Sequence, residues 1–189
     1  HLAWLAERHE AVLGQQLLRF AELNGDLVAP LRALADRGDI ELMSSNATHG
    51  YHPLILHDAC ARAQVRAGLA TSQRHLGRRP TAVWLPECAY RPDGPWHPAA
   101  VHGDVRMRAG VGSLFADEGV QCFIVDTHLV RGARPVATVD GPTAIPVPAE
   151  QVDWDHARGW RSELEPHRLV EQGTVLPLSV LARCPDVSE

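Results

Sequence analysis

The sequence predicts an α/β fold with a mainly parallel sheet, because helical patterns alternate with short apolar runs along the chain. Residues 81–85 form an apolar run between Pro80 and Pro86, and residues 120–125 form another; each is short enough to be a buried strand. No glycine signature of a dinucleotide or nucleoside triphosphate site is present in the sequence. A barrel and an open doubly wound sheet both fit this order of elements.

The helices are predicted from apolar residues that recur every three or four positions and from the residues that begin or end them. In chain order we expect helices over residues 2–20, between Asp26 and Gly38, over 54–76 with Gly77 at the end, and over 107–118, and strands over residues 39–44, 81–85 and 120–125. Residues 93–103 are predicted to be irregular. Residues 131–160 are rich in proline and glycine and are predicted to form a long loop or lid.

Composition excludes several classes of protein. The chain has 189 residues, which is enough for one sizeable core and too few to favour two domains. A formal net charge of −5 without a basic run argues against nucleic acid or an anionic membrane as a partner, and no apolar run reaches the roughly 18 residues of a membrane helix. The four cysteines include no CxxC pair, so we expect neither a zinc ribbon nor a disulfide framework, and we expect a cytoplasmic location.

Polar side chains follow each predicted strand. Because the carboxyl ends of parallel strands meet on one face of an α/β fold, we expect these side chains to converge on one site. They are Ser45, Asn46, Thr48 and His49 after the first strand, Glu87, Tyr90 and Arg91 after the second, and Asp126, Thr127 and His128 after the third.

Glu87 is the sharpest single candidate. A carboxylate directly after a buried strand is costly unless it is paired or used in catalysis. Trp84, Cys88 and Tyr90 would give it a partly apolar wall. The alternative is a structural ion pair between Glu87 and Arg91 or another arginine, and from the residues alone we weigh the two interpretations equally.

Two further sets of side chains have more than one interpretation. His49 and His52 are spaced like metal ligands, but no third ligand follows at a recognisable spacing, so we assign no metal and no cofactor; a histidine in a polar loop can equally bind a sugar hydroxyl. Trp96, Trp154 and Trp160 lie in predicted loops, where an indole can stack on the apolar face of a sugar ring. Packing of the loops themselves is the alternative for each tryptophan.

Residues 84–92, with the sequence WLPECAYRP, resemble the nucleophile motif of glycoside hydrolase family 57 and, within it, of the 1,4-α-glucan branching enzymes. Three other segments resemble further motifs of that family: residues 41–54, which include a Thr-His-Gly loop, residues 123–128, and residues 181–185, where Cys184 stands in place of an expected aspartate.

The resemblance implies an incomplete (β/α)7 barrel and a retaining mechanism that acts on an α-1,4-glucan. Glu87 would attack the anomeric carbon, a second carboxylic acid would protonate the leaving oxygen, and a glucan 6-hydroxyl would then take the sugar to give an α-1,6 branch. By the same resemblance, substrate would be bound by Thr48, His49, Tyr90, Arg91, Asp126 and His128. From their positions in predicted loops, Trp96 and Trp154 are expected to be stacking platforms.

Two motifs of the family are missing from the chain: the histidine motif of its first strand and the acid/base aspartate, for which Asp126 is not a match. The chain also begins at His1 inside a helical pattern. We therefore expect a central portion of a catalytic barrel that is inactive alone. An α-amylase or 4-α-glucanotransferase of the family stays open, as do a glucan-binding partner without activity and a metal-dependent carbohydrate deacetylase, which would need Asp126, His49 and His52 to converge on one ion.

Overall fold

The structure is a computed structural model that describes residues 1–97, 104–130, 137–138, 145–146 and 164–184. Its helices are Leu2–Glu22 (α1), Ala29–Asp36 (α2), Asp58–Leu76 (α3), Val111–Asp117 (α4) and Thr127–Val130 (α5), with short 3-10 helices at His52–Leu54 and Pro86–Cys88. Its strands are Ala82–Trp84 (β1), Gly94–Trp96 (β2), Arg106–Arg108 (β3), Cys122–Asp126 (β4), Ala137–Thr138 (β5), Ile145–Pro146 (β6), His167–Glu171 (β7) and Thr174–Arg183 (β8).

The main sheet has four strands in the order β1-β4-β8-β7. β1 pairs with β4 and β4 with β8 in parallel, whereas β7 is antiparallel to β8. Ser44 adds an isolated parallel bridge to Val83 on the other edge of β1. The prediction of a mainly parallel sheet is therefore confirmed, and four chain segments end on the same side of it.

The core lies between this sheet and helices α3 and α4. Apolar side chains of the strands alternate inward and outward, while the helices supply one face each. The buried cluster consists of Val65, Leu69, Val83, Leu85, Val111, Phe115, Val120, Phe123, Val125, Leu178 and Val180. Phe115 and Phe123 meet edge to face in its centre, with ring centroids 5.3 Å apart.

Helix α3 packs closely on the loop that follows Ser44. A methyl group at Gly68 would overlap the carbonyl oxygen of Ser45, so the absence of a side chain there sets the distance between helix and loop. The helix ends, as predicted, at Gly77, whose φ of 76° is left-handed and ends the helix without steric cost.

Three predicted elements differ from the structure. In residues 39–44 only Ser44 pairs with a strand, and Ile40 and Met43 stay more than a third exposed, so little burial offsets the cost of ordering. The helix predicted over 107–118 begins at Val111, because residues 106–108 instead pair with Gly94–Trp96. That pairing also gives a strand within residues 93–103, which were predicted to be irregular.

The hairpin of β7 and β8 was not predicted from the sequence, although β8 is ten residues long and central in the sheet. Most of the predicted lid over residues 131–160 lies outside the described residues. The described parts of it are β5 and β6, which form an antiparallel pair. None of the helices in the described part of the chain is both long and apolar enough to span a membrane.

Candidate active site

The segments that end on one side of the sheet bring four polar side chains together. Ser45 follows the bridge at Ser44, and its Oγ donates to the carbonyl oxygen of Trp84, 3.1 Å away, next to the turn that carries Glu87. Asp126 and Arg183 are the last residues of the adjacent parallel strands β4 and β8, and they form an ion pair of 3.0 Å. The ends of these parallel strands are therefore adjacent, and Arg183 lies at the end of β8 beside the predicted Asp126.

Glu87 lies in a strained turn. Its φ is 54° and that of Cys88 is 51°, so two consecutive residues with side chains are left-handed. Such a residue costs about 1–3 kcal/mol and persists when its surroundings over-determine it, which is typical of functional sites. The amide of Cys88 donates to the carbonyl oxygen of Leu85 at 2.8 Å, and the Glu87 side chain remains 69 % exposed. The turn therefore presents this carboxylate to solvent above a buried strand.

His49 faces Glu87 across the site. Its Nε2 lies 3.4 Å from Glu87 Oε1, and its Nδ1 lies 3.4 Å from Ser45 Oγ. Its φ of 54° is also left-handed, so both facing residues have strained backbones. The neighbour that the structure gives Glu87 is thus a half-exposed histidine, whereas Arg91 lies elsewhere, beside Asp58 at 3.7 Å.

Cys88 is buried, and its charged neighbours are Glu87 on one side and the Asp126–Arg183 ion pair on the other. Burial raises the pKa of its thiol, the carboxylates of Asp126 and Glu87 raise it further, and Arg183 lowers it. A buried thiol among carboxylates stays protonated and is a poor nucleophile. Arg183 was not predicted as a site residue, although it lies in a segment that resembles a family motif. Its place at the end of a parallel strand is the signal that could have identified it.

The loop that carries His49 is held from behind by buried polar contacts. Asn46 Nδ2 donates to His52 Nε2 at 2.7 Å and to the Gly50 carbonyl oxygen at 3.1 Å. His52 is 1 % exposed, and burial together with the charges of Arg91 and Arg108 lowers its pKa to about 4. This histidine is neutral at pH 7, and its Nε2 is the acceptor because the amide nitrogen of Asn46 can only donate.

The deacetylase alternative needs Asp126, His49 and His52 to converge on one ion. They do not converge, because His52 is buried and its Nε2 is bonded to Asn46. Among the described residues no group of three or more His, Cys, Asp or Glu side chains could hold a metal ion. Thr48 is exposed on the same loop; its backbone N–H and its hydroxyl lie 3.0 and 3.1 Å from Gln64 Oε1 on α3. Thr48 is thereby oriented from the helix side, with its exposed face beside His49.

Tyr90 and Arg91 lie behind the Glu87 turn. Tyr90 donates its phenolic hydrogen to Glu171, and its ring stacks on Phe123 with a centroid distance of 5.8 Å. Arg91 is 7 % exposed and donates to the carbonyl oxygen of Ala109 at 2.7 Å. These contacts tie the end of the turn to the core and to the loop before α4.

Trp96 lies on β2, farther from Glu87 in the chain. Its indole N–H donates to the Pro53 carbonyl oxygen at 2.9 Å, and the guanidinium carbon of Arg108 lies 4.5 Å from its ring centroid. One face of this ring is thus covered by a cation. His128 belongs to α5, but its side chain is outside the described residues, as is all of Trp154.

Comparison with known proteins extends these observations. The family model described as Glycosyl hydrolase family 57 matches residues 11–186. The 1,4-alpha-glucan branching enzyme of Thermococcus kodakarensis is 40 % identical over 123 residues, which are 65 % of this chain and 18 % of that protein. The crystal structure of that enzyme, in complex with glucose and additives, has a TM-score of 0.65 at 30 % identity and covers 87 % of this chain and 26 % of its own.

The family 57-type branching enzyme of Pyrococcus horikoshii gives a similar result, with a TM-score of 0.67 at 31 % identity, over 89 % of this chain and 26 % of that one. The matched part of this chain spans 18 % of the length of each curated relative compared with it. The structural likeness confirms the predicted fold, a portion of the family's barrel. Since the family model covers nearly all of the sequence, this chain belongs to glycosyl hydrolase family 57.

Proposed function

We propose that this chain carries the nucleophile of a retaining enzyme that branches 1,4-α-glucans, and that Glu87 is the nucleophile. The observation that carries the proposal is the geometry of Glu87: a strained turn at the end of a parallel strand presents its carboxylate, with His49 Nε2 at 3.4 Å. The branching enzymes named above, one of them 40 % identical over 123 residues, support the choice of reaction.

In the proposed mechanism a Glu87 oxygen forms a bond to the anomeric carbon as the α-1,4 bond breaks. A second carboxylic acid, which we do not assign within this chain, gives its proton to the leaving oxygen. The 6-hydroxyl of an acceptor glucan then attacks the same carbon, releases Glu87 and returns the proton to that second acid. His49 stands where it can hold Glu87 and a sugar hydroxyl in place.

We propose that the glucan is contacted by side chains from the same strand ends as Glu87. Thr48, His49, Asp126 and His128 come from the strand ends, and Arg183 joins them through its ion pair with Asp126. We propose that Tyr90 and Arg91 hold the Glu87 turn in place from its inner side, since both have partners in the protein interior. The stacking roles of Trp96 and Trp154, and a role of residues 131–160 in excluding water from the glycosyl-enzyme, remain proposals from the sequence.

The same proposal places the protein in the cytoplasm, where its substrate would be amylose or a glycogen-like α-glucan and its product a branched store of glucose. The formal charge of −5 supports a neutral polysaccharide as partner over an anionic polymer.

The experiment uses the longest natural polypeptide that contains this chain. It is incubated with amylose, and α-1,6 linkages are counted by proton NMR for the wild type and for Glu87→Gln, which keeps the shape but removes the nucleophile. We expect new branches from the wild type and a loss of about three orders of magnitude or more in the variant. Glu22→Gln, on the exposed end of α1, is the matched control and retains activity.

Other outcomes separate the alternatives. Reducing ends without new branches, lost in Glu87→Gln, would keep the nucleophile and move the enzyme to the amylase side of the family. Transfer that lengthens linear chains would indicate a 4-α-glucanotransferase. Full activity of Glu87→Gln would overturn the proposal.

A further inference from the structure

Glu171 is a buried carboxyl group that the proposed mechanism does not use. It is the last residue of β7 and is 5 % exposed. Its Oε1 accepts a hydrogen bond from the Tyr90 hydroxyl, and its Oε2 lies 3.0 Å from Ser113 Oγ on α4. A buried carboxyl group that is not paired with a cation calls for a specific reason.

The contact with Tyr90 connects Glu171 to the nucleophile turn. Tyr90 follows Glu87 by three residues, and Cys88 and Glu87 both need support because their backbones are left-handed. The Tyr90 ring is fixed at its face by Phe123 and at its hydroxyl by Glu171. Holding this ring fixes the position at which the chain leaves the strained turn.

Two glycines make room for this pair of side chains. A methyl group at Gly110 would lie 2.7 Å from Glu171 Oε2, which is closer than carbon and oxygen can approach without displacement. A methyl group at Gly112 would overlap Leu169 Cδ2 and would also lie 3.0 Å from the Tyr90 hydroxyl oxygen. The backbone before and at the start of α4 is thus shaped around the carboxyl and phenol groups.

The number of hydrogens available to this network depends on the protonation state of Glu171. Ser113 Oγ carries one hydrogen but lies 3.2 Å from Asp93 Oδ2 and 3.0 Å from Glu171 Oε2. With both carboxyl groups ionised, one of these contacts has no hydrogen. If Glu171 keeps its proton, Tyr90 donates to Glu171, Glu171 donates to Ser113, and Ser113 donates to Asp93, so each contact has its hydrogen.

The electrostatic environment of Glu171 acts in the same direction, toward the protonated form. Burial raises the pKa of Glu171, and this effect exceeds the opposite one of the backbone N–H groups of Asp93 and Ser113. The titratable groups in this network are Tyr90 from the loop after β1 and Asp93 from the segment before β2; α4 contributes the neutral Ser113.

We propose that Glu171 is a positioning residue for Glu87: as a neutral acid, it anchors Tyr90 and so holds the strained turn in the orientation that reaction needs. This inference rests on the proposed role of Glu87. Glu171, a protonated side chain on β7 that is distant from Glu87 in the sequence, would thereby affect the rate at which the nucleophile reacts.

The test uses the same active polypeptide and three substitutions at one position. Glu171→Met removes the anchor, and we expect kcat to fall 10- to 100-fold with KM within twofold of wild type, because turn geometry matters more to reaction than to glucan binding. Glu171→Gln can accept from Tyr90 and donate to Ser113, and it is expected to restore kcat to within threefold. Glu171→Asp, which is too short to reach both partners, should behave like Glu171→Met.

Further measurements address the proton and the linkage. A carboxylic C=O band in the infrared spectrum at pH 7 should vanish in Glu171→Gln. A carboxyl group whose pKa is raised in the folded state stabilises the protein below its unfolded pKa, and this stabilisation is lost as pH rises through the folded pKa. The free energy of unfolding of Glu171→Gln should therefore increase relative to that of the wild type as pH rises. The losses of kcat caused by Tyr90→Phe and Glu171→Met should not be additive in the double variant. Glu165→Met, at an exposed position just before β7, is the matched control.

Unchanged kcat in Glu171→Met would overturn the inference, as would equal losses in Glu171→Met and Glu171→Gln. If Glu171→Met does not fold, Glu171→Gln and the infrared band decide alone, and the absence of that band would overturn the neutral acid. The parallel Glu87→Gln variant separates the two proposals: activity in that variant overturns the nucleophile, whereas its inactivity beside a normal Glu171→Met overturns only the role of Glu171.

Discussion

His49 and His52 lie three residues apart, yet they have opposite environments. His49 is half-exposed and faces Glu87, while His52 is buried, bonded to Asn46 and near the charges of Arg91 and Arg108. The spacing alone suggested two ligands of one metal ion. Burial instead makes one histidine part of the site and the other part of its support.

We predict that His52 makes folding sensitive to acid. Its pKa is about 4 in the folded protein and 6.5 unfolded, so the unfolded state binds more protons between these values and stability falls as pH drops from 6.5 to 4. The difference corresponds to about 3 kcal/mol. Urea unfolding at pH 7 and pH 5 should show a smaller pH effect in His52→Gln than in the wild type. Exposed His57→Gln should leave the effect intact.

At the scale of elements, the position of the His49 loop depends on α3. The helix approaches so closely at Gly68 that it touches the Ser45 carbonyl, and Ser45 in turn bonds to the strand end beside Glu87. A shift of this helix would therefore be transmitted through Ser45 to the end of β1, next to the turn that contains Glu87. The loop has no comparable contact with α1, which has no buried residue in the described structure.

Two glycines in helix interiors provide a matched test of this packing. Gly68→Ala would overlap backbone atoms that cannot move freely, so we expect a loss of about 1–3 kcal/mol of stability and a fall in activity. Gly14→Ala on α1 meets no atom within 4 Å and should gain up to about 1 kcal/mol from helix propensity. Thermal unfolding and the branching assay measure both. Equal effects at the two positions would contradict the proposed close approach.

At the scale of the whole molecule, the sheet is completed by a hairpin that comes from the far end of the described chain. β8 pairs with β4 on one side and β7 on the other, and it carries Leu178 into the core and Arg183 to the site. β7 supplies Glu171, which accepts a hydrogen bond from Tyr90 behind the Glu87 turn. Stability and site geometry therefore depend on the same hairpin.

Truncation of Leu178 should reveal this dependence. Leu178 is 2 % exposed in the core, so Leu178→Ala should lower the free energy of unfolding by about 2–5 kcal/mol through lost burial and a cavity. Val175→Ala, 58 % exposed on the same strand, should change it by less than about 1 kcal/mol. Denaturant unfolding measures both variants. A similar loss at the two positions would mean that β8 is not part of the core.

The sequence by itself determined the fold class and the local position of the nucleophile candidate. Apolar periodicity predicted α1, α3 and strands β1 and β4, because these elements are set by local pattern and by which face is buried. Glu87 was singled out because a carboxylate after a buried strand is costly unless it is paired or used, and the resemblance of residues 84–92 to a nucleophile motif then favoured a catalytic role. The expected convergence of strand ends followed from a general rule of parallel sheets.

Only the tertiary structure decided which polar residues face the candidate site and which lie buried behind it. Tyr90 and Glu171 are 81 residues apart in sequence, and Asp126 and Arg183 are also distant, so no local pattern could reveal that they meet. The pairing of β2 with β3 replaced a predicted irregular segment and the start of a helix, because strand pairing depends on a distant partner rather than on local propensity. Burial, which separates His52 from His49, is likewise a property of the packed molecule.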